Sequence, residues 1–220
     1  MTIRVLAPGA LSTVQNGGRE GYRHLGVGST GALDAYSHTV ANLLVGNRRD
    51  AAALEITLAG PRLRFERAAR LALCGADIDA HCDGRAIPAW RPVSIEAGAT
   101  LSLGACRRGV RAYLAVAGGI DVPTVLGSAS TDLRGGFGGV QGRALVAGDA
   151  LQVVSDGAAC VQALRVARWW IDPSPDIAFD TSTIVRVLPG SDTVAPAGAL
   201  FDAQWRVATA SDRQGLRLEG

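Results

Sequence analysis

The sequence predicts a mainly β fold, a sandwich or barrel of short, mostly antiparallel strands with a single clear helix. Short runs rich in β-branched, leucine and aromatic residues follow one another at close spacing. Turn signals separate them: Ala59-Gly60-Pro61, Asp83-Gly84, Ala97-Gly98 and Ala147-Gly148-Asp149. Only one segment, Asp34–Val45, carries a helical pattern.

The strand candidates, in order, are Ile3–Leu6, Ala53–Leu58, Arg62–Phe65, Arg70–Cys74, Ile78–Cys82, Val93–Ile95, Thr100–Leu103, Val110–Val116 and Ala150–Val154. In the helix, Asp34 caps the start, Tyr36, Val40, Leu43 and Leu44 fall on one face, and Gly46 supplies a left-handed stop. Before it lies a polar loop, Val14–His24, with Arg19, Tyr22, Arg23 and His24 close together. Two arginines beside a tyrosine and a histidine can hold an anion and position a proton carrier, or can form a solvated loop with Arg23 paired to an acid such as Asp34. Glu55, in ALEITL, is expected on the solvent side of its strand; facing inward it would need a cationic partner.

From Gly118-Gly119 a long, Gly-studded segment runs to Asp149, carrying Asp121, Ser128, Ser130, Thr131, Asp132, Arg134 and Phe137. Apolar residues recur along it, so it reads as a folded loop with buried anchors and a polar cluster, a plausible wall of a binding site.

Composition narrows the function classes. With 22 basic and 20 acidic residues among 220, the net charge is +2, and no basic stripe is interleaved with aromatics, which argues against nucleic-acid binding. No apolar run approaches the length of a membrane span, and the N-terminus lacks an apolar export signal, so a cytoplasmic protein is expected. Cys74, Cys82, Cys106 and Cys160 form no C-x-x-C pair, and Cys74 reads as a small buried thiol. All 22 basic residues are arginine. Without lysine there is no Schiff base and no phosphate-loop lysine.

Gly26–Gly31 matches G-x-G-x-x-G and opens the helix, but no buried strand precedes it and no βαβ pattern follows. It reads as a tight-turning loop whose helix N-terminus can hold a carboxylate or phosphate, not as a dinucleotide site. None of the serines sits in G-x-S-x-G. Trp169–Ser182, with two prolines, reads as a linker, and IVRVLPG at Ile184–Gly190 echoes IRVLAPG at Ile3–Gly9. The expected organisation is a first module over 1–168, a linker over 169–183 and the start of a second module over 184–220, incomplete because the chain ends on LRLEG in mid-strand.

VQNGGREGYRHLGV, STGALDAYSHTVANLLVGN, ALEITLAGPRLRF, LCGAD, RAYLAVAGGIDVPTVLGSASTDLRGGFGG, GRALVAGD and SDRQGLRLEG together resemble the allophanate hydrolase subunit 2-like proteins, the biotin-dependent carboxyltransferase family. That family includes the C subunit of 5-oxoprolinase and the Kip antagonist. The resemblance implies cyclophilin-like β-barrel modules. It also implies assembly with a subunit 1-like protein (the B-type component of 5-oxoprolinase) and with an A-type component. It implies action on a C–N bond of a small amide or lactam, most specifically ATP-dependent hydrolysis of 5-oxoproline to glutamate. ATP would be shared with the partner proteins, and biotin enters only in a carboxyltransferase reading. The alternatives are a non-catalytic regulator that binds a protein partner, as the Kip antagonist does, or a component of a urea or amide carboxyltransferase. Three positions depart from the family pattern: Asn16 replaces the acid of V-Q-D-x-G-R, Ala129 a basic residue, and Gln214 a methionine. The family continues past R-L-x-G into a second barrel half, so the chain is read as C-terminally truncated.

Asp132, Arg134, Asp34 and Asp212 are the expected catalytic group. The aspartates would orient an amide N–H or accept its proton, and Arg134 would stabilise an oxyanion. Arg19, Tyr22, Arg23, His24, Ser130, Thr131, Phe137 and Arg213 are expected to bind substrate, with Tyr22 and Phe137 as a flat wall. No metal is expected. The 14–24 and 128–139 connectors are expected to face one cleft.

Overall fold

Alternation along three neighbouring strands makes both faces of one sheet apolar. The structure is a computed structural model that describes residues 1–154, 163–173, 187–188, 201, 203–211, 215 and 217–220. Its elements are β1 (Thr2–Ala7), β2 (Leu11–Gln15), a 3-10 turn (Arg23–Leu25), α1 (Ala35–Leu44), β3 (Ala53–Thr57), β4 (Arg62–Phe65), β5 (Ala69–Cys82), β6 (Arg85–Ala86), β7 (Val93–Ile95), β8 (Thr100–Val116), β9 (Ile120–Asp121), β10 (Ala150–Val153) and β11 (Arg165–Val166). The chain divides into two compact units, Met1–Phe179 and Asp180–Gly220. In the second, β12 (Arg206–Val207) pairs with β13 (Leu218–Glu219).

Among its described residues the first unit is mainly β with one α-helix, as its sequence predicts. Its antiparallel sheet follows the order β11-β7-β5-β8-β4-β1-β10-β9, with β2 paired to β3 and β3 to β8. β8 carries β5 along one edge; its other edge holds β4 at Thr100–Ser102 and β3 at Arg111–Leu114. The expected barrel is therefore corrected. Among the described residues the sheet forks at β8 and its two ends do not pair, so it is open rather than closed.

Leu54 and Ile56 of β3, Leu71 and Leu73 of β5, and Ala112, Leu114 and Val116 of β8 join the larger core cluster. On the opposite face of these strands, Ala53, Ala72, Cys74, Tyr113 and Ala115 join a second cluster beneath α1. The small residues on that face give the helix room to approach. The sequence splits β5 and β8 in two at their glycines, whereas both strands run through. Gly75 (φ +98°) sits at a bulge where a Cβ would lie 2.5 Å from the Arg111 carbonyl oxygen, so glycine lets the strands stay paired there.

α1 forms where its caps place it: the Asp34 carboxylate accepts from the Ser37 N–H at 2.9 Å, and Gly46 is left-handed. Its buried face differs from the expected one. Ser37, His38, Val40, Ala41, Asn42 and Leu44 are buried, whereas Tyr36 and Leu43 are exposed. His38 meets Tyr113 edge-on, with ring centroids 5.8 Å apart. Burial pushes the His38 imidazole down, partly offset by the Gln15 and Ala51 backbone and by Glu55 and Asp50. A lowered folded value means that stability is full above the unfolded pKa of about 6.5 and is lost as pH falls below it. Melting curves between pH 7.5 and 5 should show that loss, and His38→Gln should flatten it.

Cys74, Cys82 and Cys106 are free thiols, Cys74 fully buried as expected. Burial pushes Cys82 up to about 11. Cys160 lies outside the described residues.

Candidate functional site

β2 is a strand whose polar side chains are nearly all buried: Ser12, Thr13 and Gln15 are at most 2 % exposed. They are buried because the 128–132 segment lies beside them. The Thr131 N–H and hydroxyl both donate to the Val14 carbonyl, at 3.0 and 2.9 Å, and the Gln15 amide donates to the Thr131 carbonyl at 3.2 Å. Chain reversal beyond β2 places Asn16 at the seam. Its Oδ1 accepts from the Ser128 and Ser130 hydroxyls, both at 2.7 Å, and from the Gly18 N–H at 3.2 Å.

Three donors on one oxygen can equally serve a carboxylate, the group of the family pattern. Asn16→Asp should therefore change stability by less than about 1 kcal/mol, whereas Asn16→Ala should lose about 2–3 kcal/mol by orphaning two hydroxyls. Urea denaturation of the two variants checks this.

Arg19 is the second lock. It is 2 % exposed, and each guanidinium nitrogen has a protein partner: Nε donates to the Val125 carbonyl (3.2 Å), Nη1 to the Thr30 hydroxyl (2.6 Å) and Nη2 to the Ser130 carbonyl (2.9 Å). Its Cζ sits 4.7 Å from the centroid of the Phe137 ring. Burial pushes the guanidinium down, and the charge of Asp132 opposes that shift.

Asp132 builds the turn that presents Phe137. Its Oδ1 accepts from the Arg134 and Gly135 N–H groups at 3.1 and 2.9 Å, and its own N–H donates to the Phe137 carbonyl at 2.8 Å. Its Oδ1 bonds are thus local, to the two amides that follow it in the turn.

Two cavities flank the Arg19–Phe137 stack. One, of about 550 Å³, is bordered by Arg19, Glu20, Arg23, His24, Ser29 and Thr30. The other, of about 500 Å³, is bordered by Asp121, Val122, Val125, Phe137, Val140 and Leu151, with the glycine backbone of 136–142. The two connectors expected to face one cleft are thus bonded to each other, and each borders its own cavity.

The structure brings Arg19, Ser130, Thr131, Asp132 and Phe137 together. The bonds of Ser130 and Thr131 hold the seam. Arg23 and His24 are exposed and join Arg19 through the polar cavity. Arg134 is exposed on the Asp132 turn. Tyr22 caps the 3-10 turn, its carbonyl accepting from Leu25 and Val27. Asp34 stands apart from both cavities, with its carboxylate on Ser37. Asp212 and Arg213 lie outside the described residues.

Asn16 is the seam residue absent from the predicted site; its one sequence signal is that it departs from the family acid. Glu55 also differs from expectation. It is 1 % exposed and faces inward, where Oε2 accepts from the Tyr113 hydroxyl (2.8 Å) and the Leu33 N–H (3.0 Å) and Oε1 lies 3.8 Å from Arg111.

Four amides around the start of α1 have protein acceptors. Ala32 donates to the Asn16 carbonyl, Leu33 to Glu55, Asp34 to the Tyr113 oxygen and Ser37 to Asp34. In the Gly26–Gly31 loop itself, the Gly26 and Val27 amides donate to the Arg23 and Tyr22 carbonyls. Among the described residues no group of three or more His, Cys, Asp or Glu side chains could hold a metal, and no helix is long and apolar enough to cross a membrane.

This fold has counterparts among solved structures. It superposes on the urea amidolyase of K. lactis with a TM-score of 0.86 and 35% identity, covering 100% of this chain and 14% of that one. Against the Kluyveromyces lactis urea carboxylase the TM-score is again 0.86 at 35% identity, with 100% and 20% covered.

The chain belongs to the family of the carboxyltransferase domain, subdomain A and B, which matches residues 25–220. It is 39% identical over 224 residues to the C subunit of 5-oxoprolinase from Escherichia coli (strain K12), covering 99% of this chain and 68% of that protein. It is 43% identical over 155 residues to the urea amidolyase of Saccharomyces cerevisiae, covering 70% of this chain and 8% of that protein. Proteins acting on amides and urea are thus its relatives.

Proposed function

We propose that the chain is one component of a heteromeric enzyme that opens a C–N bond in a small amide or lactam, most specifically 5-oxoproline, in an ATP-dependent reaction giving glutamate. The observation that carries this reading is its similarity to the C subunit of 5-oxoprolinase across 99% of its length. The polar cavity supplies the chemistry. Arg23 and His24, on the exposed side, receive the carboxylate or carbonyl oxygen of the substrate, and Arg19 keeps the wall cationic. Asp132 acts at one remove, by fixing the turn and opposing the Arg19 charge. The nucleotide belongs to a partner of the B or A type. The modules are assigned to 1–168 and 184–220, with 169–183 as linker.

A second reading rests on the urea amidolyase relatives: a component that passes a carboxyl group from biotin to a urea-like acceptor. None of the 220 residues is a lysine, so none of them offers a side-chain amine on which to tether biotin.

Co-expression with the partner proteins and an assay of 5-oxoproline-dependent ADP release test the proposal. Arg23→Gln should assemble normally and lose about 10- to 100-fold in turnover. Unchanged turnover would remove the polar cavity from the reaction. Assembly with no turnover of 5-oxoproline, urea or related amides would favour a regulator.

A further inference from the structure

We infer that the glycine-lined cavity is a separate ligand site, selective for a small, partly apolar molecule that carries N–H donors and no negative charge. Its volume of about 500 Å³ is within the usual range for small-molecule sites. Its side-chain lining is apolar (Val122, Pro123, Val125, Phe137, Val140, Leu151) apart from Asp121, Gln141 and Gln152. Asp121 and Gln152 face each other across the β9–β10 ladder, and both are exposed. Asp121 has no ion-pair partner among the described residues, so its carboxylate is open to a donor from a ligand.

No arginine borders this cavity. Arg143, the cation next in sequence, is held by Asp149 through two bonds of 2.8 Å. The wall is also preformed. The Gly142 N–H donates to the Gly138 carbonyl at 2.7 Å, and a Cβ on Gly142 would fall 2.1 Å from the backbone of Gly136. Across the Arg19–Phe137 stack the other cavity carries Arg19, Arg23 and His24 against Glu20. The two cavities thus favour ligands of opposite charge, and this inference stands whether or not the polar cavity binds 5-oxoproline.

Benzamidine and benzoate share a ring and differ in charge, so they separate shape from electrostatics. Titrated into the ¹⁵N-labelled chain, benzamidine should shift the amide resonances of Asp121 and Gly136–Gly142, and benzoate should leave them in place. Asp121→Asn should weaken benzamidine about tenfold with an unchanged melting temperature. Val140→Trp, which fills the cavity, should abolish the shifts. Equal response to the two probes, benzamidine shifts mapping elsewhere, or unchanged affinity in Asp121→Asn would each overturn the inference.

Discussion

Arg19→Ala should lose about 3–5 kcal/mol of stability, the largest effect of any single polar substitution in the two connectors. The side chain makes three hydrogen bonds and one ring contact at 2 % exposure. Its removal leaves the Ser130 carbonyl and the Thr30 hydroxyl without this donor, leaves the Val125 carbonyl with the Ser128 N–H alone, and frees one face of Phe137. Arg19→Lys keeps the charge but cannot span three acceptors with one ammonium, so it should lose about 2–3 kcal/mol. Urea unfolding followed by tryptophan fluorescence and by far-ultraviolet dichroism measures both. A loss below about 1 kcal/mol for Arg19→Ala would mean that the connectors hold together without this side chain.

Gly142→Ala should lose about 2–4 kcal/mol, through its left-handed backbone and the contact its methyl would make. Gly142 has φ +70°, and an added Cβ would meet the Gly136 carbonyl carbon at 2.1 Å and the Phe137 nitrogen at 2.3 Å. Those atoms are backbone and cannot swing aside, so the 136–142 loop must move. The same substitution at Gly148 (φ +93°), where a Cβ would meet nothing, should lose only about 1–2 kcal/mol, the left-handed part alone. The difference between the two variants, read as a shift in urea midpoint, isolates the close approach. A crystal structure of Gly142→Ala should show Phe137 displaced from Arg19.

The helix is legible in the sequence because its signals are local: a capping aspartate, an apolar period and a stop glycine, all within Asp34–Gly46. Its buried face is less so, because buried Ser37, His38 and Asn42 do not look apolar. They are buried by what packs on them, with Asn42 donating to the Ala51 carbonyl at 2.9 Å. β2 escapes for the same reason. LSTVQ offers little hydrophobic alternation, and its polar side chains are buried only by tertiary packing, the Gln15 amide donating to the Thr131 carbonyl more than a hundred residues away. Glu55 reads as a solvent-facing residue because Tyr113, Leu33 and Arg111 are brought to it only by tertiary structure.

The residues of the two connectors are readable as a polar cluster, since arginine, serine, threonine and aspartate among glycines rarely mark a core. What they do is not readable. The pattern suggests that Arg19, Ser130 and Thr131 face a ligand, whereas the structure gives each of them protein partners. The positions proposed to face a ligand are instead the exposed Arg23 and His24 on one side, and Asp121 with the glycine backbone on the other. Arg19 borders one cavity and Phe137, stacked on it, borders the other.

Native-state hydrogen exchange tests the central claim most directly, that the 14–31 and 125–142 connectors are one cooperative unit locked at Asn16 and Arg19. The protected amides of Arg19, Thr131, Asp132, Gly139 and Gly142 should open with one shared free energy, and Asn16→Ala should lower all five by the same amount. If Asn16→Ala sped exchange at Arg19 while Asp132, Gly139 and Gly142 kept their protection, the connectors would be independent loops and the account would fail.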